Sequence, residues 1–552
     1  MTETAEAILY NDRAMRGNPL LKPAKVEVEW TPELLIEYEK CANEETGPLY
    51  FCNHFVKIVH LDDGLIQFHP REYQEEIIRT MHESRYTIVT TGRQVGKTTS
   101  VTGYLLWYVL FHGYKDVAIL ANKEKVAHEI LERLKTAYVH LPKWLQQGVI
   151  DWNKGTIGLE NGSRVVACAT SSDAIRGYSI SILFIDEAAH IENWSSFYKS
   201  TFPTISSGKT TKIVLVSTPK GLNHFYKIWE DSKHNRNNYK RVLVTWDKVP
   251  GRDEEWKKNE LAAMSNNVSD FEQEHCCEFV GSSGTLIAGS KLKALRWLDP
   301  IREDEYGLKI YKPPEQDHRY ACTLDSSEGK GLDFATFHIT DITRLPYEQV
   351  ATFRSNNVSP VDHAEITHGV LKMYNDAVIL VEYENMGPVV AYHLHDNLEY
   401  ENVLYTCHAG TSARKISISG GAKLDKGLKM SQVVKKQGCS LLKLLIEQDR
   451  YMINDFDTIE ELNTFSKNSR GSYSAEEGKY DDMVMPLVVF AWLTNQEYFK
   501  EISEIDTLNS LRDRSEVSIM EGIASFGFVE QGERPAVEEI ETVDDLDAWL
   551  LS

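Results

Sequence analysis

The run Tyr86-Thr-Ile-Val-Thr leads straight into Thr91-Gly-Arg-Gln-Val-Gly-Lys-Thr-Thr, which opens an apolar helix over Val101 to Leu110. Few architectures admit this order. Backbone N–H groups of such a loop, with the positive end of the helix behind it, cradle an anion. Lys97 is placed to reach the β- and γ-phosphates of a nucleotide, and Thr98 to put its hydroxyl on Mg²⁺. Gly92 and Gly96 are separated by three residues, one fewer than in the general phosphate-loop pattern. A lone Gly-Lys-Thr occurs in many loops, so nucleotide binding needs a second element.

That element is Ile182-Leu-Phe-Ile-Asp186-Glu187, a buried strand ending in two carboxylates. Unpaired buried charge is costly, so paired acids at such a strand end imply a use. Asp186 suits the Mg²⁺ shell, and Glu187 suits polarising an attacking water. Two weaker signals agree. Gln74, in Phe68-His-Pro-Arg-Glu-Tyr-Gln, carries an amide that can read both edges of adenine. Ser217 and Thr218 end the next strand, where small hydroxyls can sense a γ-phosphate.

Short β-branched runs alternate with amphipathic segments from Arg85 onward, which predicts an α/β domain with a largely parallel sheet. The runs are Tyr86–Thr90, Val117–Ala121, Ile182–Ile185 and Lys212–Ser217. A second set follows Pro300. Tyr320–Leu324, Thr336–Thr340 and Tyr347–Phe353 alternate like an antiparallel meander, and Ala377–Val381 reads as a buried strand. The expected domains are a lead-in over 1–60, a phosphate-loop domain over 61–295, a linker over 296–312, a second domain over 313–510 and an acidic tail over 511–552. Trp30-Thr-Pro begins a short helix in the lead-in, with Thr31 as N-cap and Pro32 at the first helical position.

Composition excludes several classes. No apolar run reaches the roughly 18–20 residues that span a bilayer, and the opening residues lack a secretory signal. The eight cysteines contain no Cys-x-x-Cys pair, which argues against a zinc ribbon or a disulfide framework. The expectation is a soluble intracellular protein without membrane contact. A net charge of −22 argues against simple DNA coating, since DNA affinity comes mostly from Lys and Arg on phosphates. Any DNA contact must therefore be local.

Acids in the second half form another pattern. Asp325 ends a strand, Glu382 ends the buried strand Ala377–Val381, and Asp481-Asp482 precede the apolar helix expected over Met483 to Trp492. Acids at two strand ends and one helix start can converge on one sheet edge, where their mutual repulsion implies divalent cations. Two ions about 3.5–4 Å apart can activate a water and stabilise a leaving oxygen in phosphodiester cleavage. Glu384 is an alternative to Glu382, and the choice between Asp481 and Asp482 stays open. All-oxygen ligands suit Mg²⁺ and Mn²⁺ alike. The segment Ser412 to Lys436 carries Arg414, Lys415, Lys423, Lys426, Lys429, Lys435 and Lys436 against a single acid, Asp425. It reads as a loop tracking a phosphate backbone, or as a plain solvated basic surface.

From about Trp30 to about Asn495 these residues resemble the large terminase subunits of tailed bacteriophages, most closely the contractile-tailed (myovirus) branch. The shortened loop Gly92-Arg-Gln-Val-Gly-Lys-Thr is similar to that family. So are Ala174-Ile-Arg-Gly-Tyr-Ser, Ser217-Thr-Pro-Lys-Gly-Leu-Asn-His-Phe-Tyr and Phe271-Glu-Gln-Glu-His. The resemblance implies an ASCE-type P-loop ATPase domain followed by an RNase H-like nuclease domain with a mixed sheet. Gly92, Arg93, Gln94, Val95, Gly96, Lys97 and Thr98 would hold ATP, and Arg93 would act in cis on the γ-phosphate. Glu328 and Asp333 match family acids near the first metal ligand, in a supporting role. Implied partners are double-stranded viral DNA, a procapsid portal, a small terminase subunit and further copies of the chain, as a pentamer on the portal. The implied location is the host cytoplasm, transiently on the procapsid and absent from the finished virion. The alternatives are a helicase-nuclease, disfavoured by the missing second helicase domain, and a nucleotide-switched assembly protein that never cuts DNA. The latter has no need of the acid cluster.

Overall fold

The computed structural model describes residues 18–503, except 171–174, 176–177, 192–193, 207, 281–283, 332, 408–415, 418–423 and 469–470. The acidic tail, Arg414, Lys415 and Lys423 lie outside the described residues.

Two sheets organise the molecule. The first comprises β1 (Tyr86–Thr91), β2 (Asp116–Ala121), β3 (Val149–Asn153), β4 (Thr156–Leu159), β5 (Arg164–Ala169), β6 (Ile180–Asp186), β7 (Lys212–Ser217) and β8 (Lys240–Val244). They lie in the order β8-β1-β7-β6-β2-β5-β4-β3. The six from β8 to β5 are parallel, while β4 and β3 run antiparallel at the edge. The parallel strands are near-continuous Val, Ile and Leu runs because helices cover both faces, which leaves no solvent side to alternate with. β7 lies between β1 and β6, so the strand ending in Ser217 separates the phosphate loop from the Asp186–Glu187 pair.

Helix α1 (Glu72–Glu83) precedes β1, and α2 (Lys97–Phe111) follows the loop. Nearly all of α2 from Thr98 to Leu110 is buried. A helix preceding these is capped by Thr31, with Pro32 at its first position, as the sequence predicts. Its end is tied to the core where the Trp107 indole N–H donates to the Cys41 carbonyl at 2.7 Å.

The second sheet comprises β9 (Arg302–Glu303), β10 (Leu308–Ile310), β11 (Tyr320–Asp325), β12 (Ala335–Asp341), β13 (Tyr347–Ser355) and β14 (Val378–Val381), with the short strand Tyr451–Met452 pairing in parallel with β13. Its order is β9-β10-β13-β12-β11-β14. β11, β12 and β13 form the expected antiparallel meander, and β14 joins β11 in parallel. Within the stretch expected as a linker, β9 and β10 pair with each other and extend this sheet through β13. Polar residues there are tolerated because β9 is an exposed edge. Helix α3 (Gln432–Glu447) and helix α4 (Val484–Thr494) pack together below the sheet. Pro486 is the third residue of α4, within the first turn, where a missing N–H removes no intrahelical bond.

Apolar packing joins the two halves. Tyr226, on the helix His224–Lys233 after β7, lies 5.9 Å from the Trp297 ring, which meets Phe456 at 5.0 Å. Burying one such side chain contributes about 1.5–3 kcal/mol. At Gly221, with φ +60°, an added Cβ would stand 2.9 Å from the Asn463 side-chain nitrogen, so the turn leaving β7 meets the second half closely. No helix among the described residues is long and apolar enough to cross a membrane.

Candidate active sites

The phosphate loop is built as its sequence requires. β1 ends at Thr91 and α2 starts at Lys97, with Gly96 as N-cap at φ +75°. An added Cβ there would come within 2.6 Å of the Gln74 amide nitrogen, so both conformation and space demand glycine. Gln74 does not project freely. Its oxygen accepts the Arg71 N–H at 3.0 Å and its nitrogen donates to the Gly96 carbonyl at 3.4 Å. The Tyr73 hydroxyl donates to the Val95 carbonyl at 3.0 Å. Gln74 thus braces the loop beside the place expected for the base.

At the end of β6, Asp186 is buried and its Oδ1 has no hydrogen-bond partner. Burial, then the neighbouring Glu187 charge, raises its pKa to about 6, although Lys97 opposes this. Glu187 adopts the left-handed conformation, φ +51°, a strained state for a residue with a Cβ. Its Oε1 accepts from Lys97 Nζ at 2.6 Å, and its Oε2 accepts from Ser217 Oγ at 3.3 Å and Thr218 Oγ1 at 3.4 Å. His190 Nδ1 stands 3.4 Å from the same oxygen. Burial pushes the Glu187 carboxyl up, but His190 and Lys97 together hold it well below the usual range. The acid is therefore kept ionised beside the Lys97 cation built into the fold.

Arg93 does not reach toward this pair. Its guanidinium forks onto Glu274, with Nε on one carboxylate oxygen and Nη2 on the other at 3.0 Å. Its own N–H donates to the Glu274 carbonyl at 2.9 Å, as Gly92 N–H does to Val244 at 2.9 Å. Those two N–H groups are spoken for, so the donors left to face an anion are those from Gln94 to Thr98. Arg252 grips the same loop from outside, donating to the Arg93 and Gln94 carbonyls at 3.2 and 3.1 Å. Sequence reasoning noted Phe271-Glu-Gln-Glu-His without giving Glu274 a task, and it missed Arg252. No spacing signal links residues so far apart.

The second site lies at the open end of the other sheet. Leu324 pairs with Val381 in parallel register, so Asp325 and Glu382 emerge side by side from adjacent strands. Thr336, the cross-strand partner of Asp325, donates its hydroxyl to the Asp482 carbonyl at 2.6 Å, which pins the start of α4 over the same edge. Asp482 Oδ2 accepts the Phe334 N–H at 3.3 Å, and Asp481 Oδ2 accepts the Ala475 N–H at 3.3 Å. Glu382 is buried with Oε2 unpartnered.

Here the acids press on one another. Burial, then Glu382 and Asp482, drives the Asp325 pKa well above the carboxylate range. Burial and Glu384 raise Glu382, while Lys435 opposes them. Burial first, and Asp481 among smaller causes, takes Asp482 to about 6. Lys435 stands 3.9 Å from Asp481. Glu384 and Asp333 act as like-charged neighbours of Glu382 and Asp482, and Glu328 pairs with Lys330. As the side chains stand, no three His, Cys, Asp or Glu groups among the described residues are placed to hold one metal ion. The orphaned Glu382 oxygen and the all-oxygen donor set nonetheless suit a divalent cation, which would relieve the repulsion. Behind the cluster, Arg354 lies 3.9 Å over the Phe334 ring and donates to Glu461 at 2.9 Å. Of the expected DNA contacts, Lys426 pairs with Asp396 and Lys429 lies beside the strand-like bridge of Leu428 with Glu382.

Comparisons with known proteins follow this division. A family model described as terminase large subunit, T4likevirus-type, N-terminal, matches residues 88–294. A second, described as terminase RNaseH-like domain, matches residues 322–488. The terminase large subunit of Thermus phage G20c is 23% identical over 77% of this chain and 87% of its own length. That of Thermus virus P23-45 is 24% identical over the same shares. Among solved structures, the HK97 bacteriophage large terminase aligns over 81% of this chain and 98% of its own, at 12% identity and a TM-score of 0.46. The two matched models between them take in both acid-bearing sheets, and the chain belongs to the terminase large-subunit family.

Proposed function

We propose that this chain couples ATP hydrolysis to the translocation of double-stranded viral DNA into a procapsid and cuts concatemeric DNA at its second site. The observation that carries this reading is the pair of buried, orphaned carboxylate oxygens, Asp186 Oδ1 and Glu382 Oε2, each at the C-terminal end of a strand in a different sheet. One site sits beside a phosphate loop. The other sits among acids that repel.

In the first site the donors from Gln94 to Thr98 cradle the phosphates. Phosphate arriving there competes for Lys97, and Glu187, released from its ion pair, is free to orient a water for in-line attack. Ser217 and Thr218 lose or keep their hold on Glu187 as it moves, and β7 carries that change toward Gly221 and the second half. In the second site Asp325 and Glu382, with Asp481 or Asp482, would hold the divalent ions. Mg²⁺ at the first site and two Mg²⁺ or Mn²⁺ at the second would supply the Lewis acidity and charge neutralisation for phosphoryl chemistry. Lys426, Lys429 and, beyond the described residues, Arg414, Lys415 and Lys423 track the DNA backbone.

Family membership also supports the portal, the small terminase subunit, a pentameric ring, the host cytoplasm with transient residence on the procapsid, and the myovirus branch. Plasmid cleavage in Mg²⁺ or Mn²⁺, with ATP hydrolysis recorded in parallel, tests the reading. Both activities are expected from one chain. Hydrolysis with no cutting under either metal would favour a nucleotide-switched assembly protein.

A further inference from the structure

We infer that Thr336 and Glu461 are positioning residues for the second site: together they clamp the peptide group joining Asp482 to Met483, and so hold the Asp481–Asp482 corner ready for divalent ions. The inference rests on the nuclease reading above and deepens it.

The peptide group is gripped at both ends. Its carbonyl, on Asp482, accepts the Thr336 hydroxyl at 2.6 Å, and its N–H, on Met483, donates to Glu461 Oε2 at 2.7 Å. A planar unit held at both polar ends is fixed in orientation, and the two acids just before it are fixed with it. One half of the grip belongs to the strands that carry the other acids. Asp325, Thr336 and Arg354 form a single row across β11, β12 and β13, and directly opposed residues project to the same face. The other half comes from the helix Phe456–Leu462, where Glu461 is buried and its Oε1 accepts from Arg354 Nη2 at 2.9 Å. Burial pushes the Glu461 carboxyl up to about 8, while Arg354 and the Met483 N–H pull it down. The grip on Met483 needs only an acceptor oxygen, which Glu461 offers protonated or not.

Met483 is the N-cap of α4, so its N–H has no partner inside the helix. An Asp at a helix start ordinarily turns its carboxylate back onto the first N–H groups. Here Glu461 takes the Met483 donor from outside. The Asp482 and Asp481 carboxylates accept instead from Phe334 and Ala475, each at 3.3 Å, long bonds that a cation can outcompete. The clamp thus spares both acids from capping their own helix while keeping them at the sheet edge.

Loss of contacts that orient metal ligands from outside costs about 10–100-fold in metal affinity. The test titrates Mn²⁺ into the full chain without nucleotide, reads free Mn²⁺ by electron paramagnetic resonance, and counts only the uptake that Asp325→Asn removes. Thermal melts in chelator show that each variant is folded. Thr336→Val, matched in shape but lacking the hydroxyl, is expected to weaken Mn²⁺ binding roughly tenfold, and Thr336→Ser to restore it. Glu461→Ala should weaken it by about 10–100-fold. Glu461→Gln, whose one amide oxygen serves Met483 or Arg354 but not both, should fall between. A folded Thr336→Val chain that binds Mn²⁺ within about twofold of wild type, or equal losses in the Val and Ser variants, would overturn the clamp. If Thr336→Val does not fold, Glu461→Gln decides by the same twofold criterion. Wild type showing no Mn²⁺ uptake sensitive to Asp325→Asn would instead sink the nuclease reading beneath it.

Discussion

Two strand ends carry acids in this molecule, and they are treated in opposite ways. At β6 the fold supplies the counter-charge: Lys97 sits on Glu187, with His190 beside it, and the carboxyl is held well below the usual range. At β11 and β14 the fold supplies mostly more acid, and Asp325, Glu382 and Asp482 are all pushed up. The same local motif, a carboxylate at the end of a buried strand, thus stands in two opposite electrostatic settings. One acid is held ionised beside a resident lysine. The others repel one another, a strain that protonation or an added cation would relieve.

The largest consequence concerns divalent metal. Mn²⁺ at a concentration about 100 times its Kd should stabilise the chain by about 2.7 kcal/mol, read as a rise in Tm, and Asp325→Asn should remove most of that rise. Glu187→Gln should leave it intact. An undiminished rise in Asp325→Asn would erase the contrast between the sites.

Next comes the sign of the same substitutions without metal or nucleotide. Asp325→Asn removes a buried acid that its neighbours repel, and should stabilise by about 1–2 kcal/mol in chelator at neutral pH. Glu187→Gln strips Lys97 and His190 of their partner, and should cost about 1 kcal/mol. Denaturant titration of both variants decides whether the two sites truly differ in sign.

A smaller effect probes the second sheet away from its acids. His363 packs beside the stacked Phe337 and Phe353 rings, with centroids 6.0 and 5.3 Å away, and neither ring nitrogen has a partner. Burial lowers its pKa to about 3. In the unfolded chain it titrates near about 6.5, so below that pH the unfolded state takes up a proton the folded state refuses. Stability is therefore lost as pH falls from about 6.5 toward 3. Between pH 6.5 and 5.5 wild type should lose about 1 kcal/mol more than His363→Leu, measured by urea unfolding. Equal losses would show that the ring is not held neutral.

Much of this contrast was legible in the sequence because it rests on local signals. Buried β-branched runs announced β1, β6 and β7, and acids following such runs marked Asp186, Glu187, Asp325 and Glu382. Gly96 and Lys97 declared the loop. What the sequence did not disclose depends on long-range packing. Glu274 reaches Arg93 across 181 positions and Arg252 reaches its carbonyl across 159, with no periodicity to betray either. The edge strands β3 and β4 were missed because their short, half-polar runs, such as Val149–Asn153, resemble loop. β9 and β10 were read as linker for the same reason. Gln74 was placed beside the nucleotide by its position before β1, but its amide is spent on Arg71 and Gly96 backbone, a detail only geometry supplies.

The crossed pair of variants tests the central claim most directly: ATP hydrolysis and plasmid cleavage measured side by side in Asp325→Ala and Glu187→Ala. The account predicts that Asp325→Ala loses cleavage by at least about a thousandfold while hydrolysing ATP near the wild-type rate, and that Glu187→Ala does the reverse. If either substitution abolished both activities in a folded protein, the two acid sites would not be separate active centres, and the account would fail.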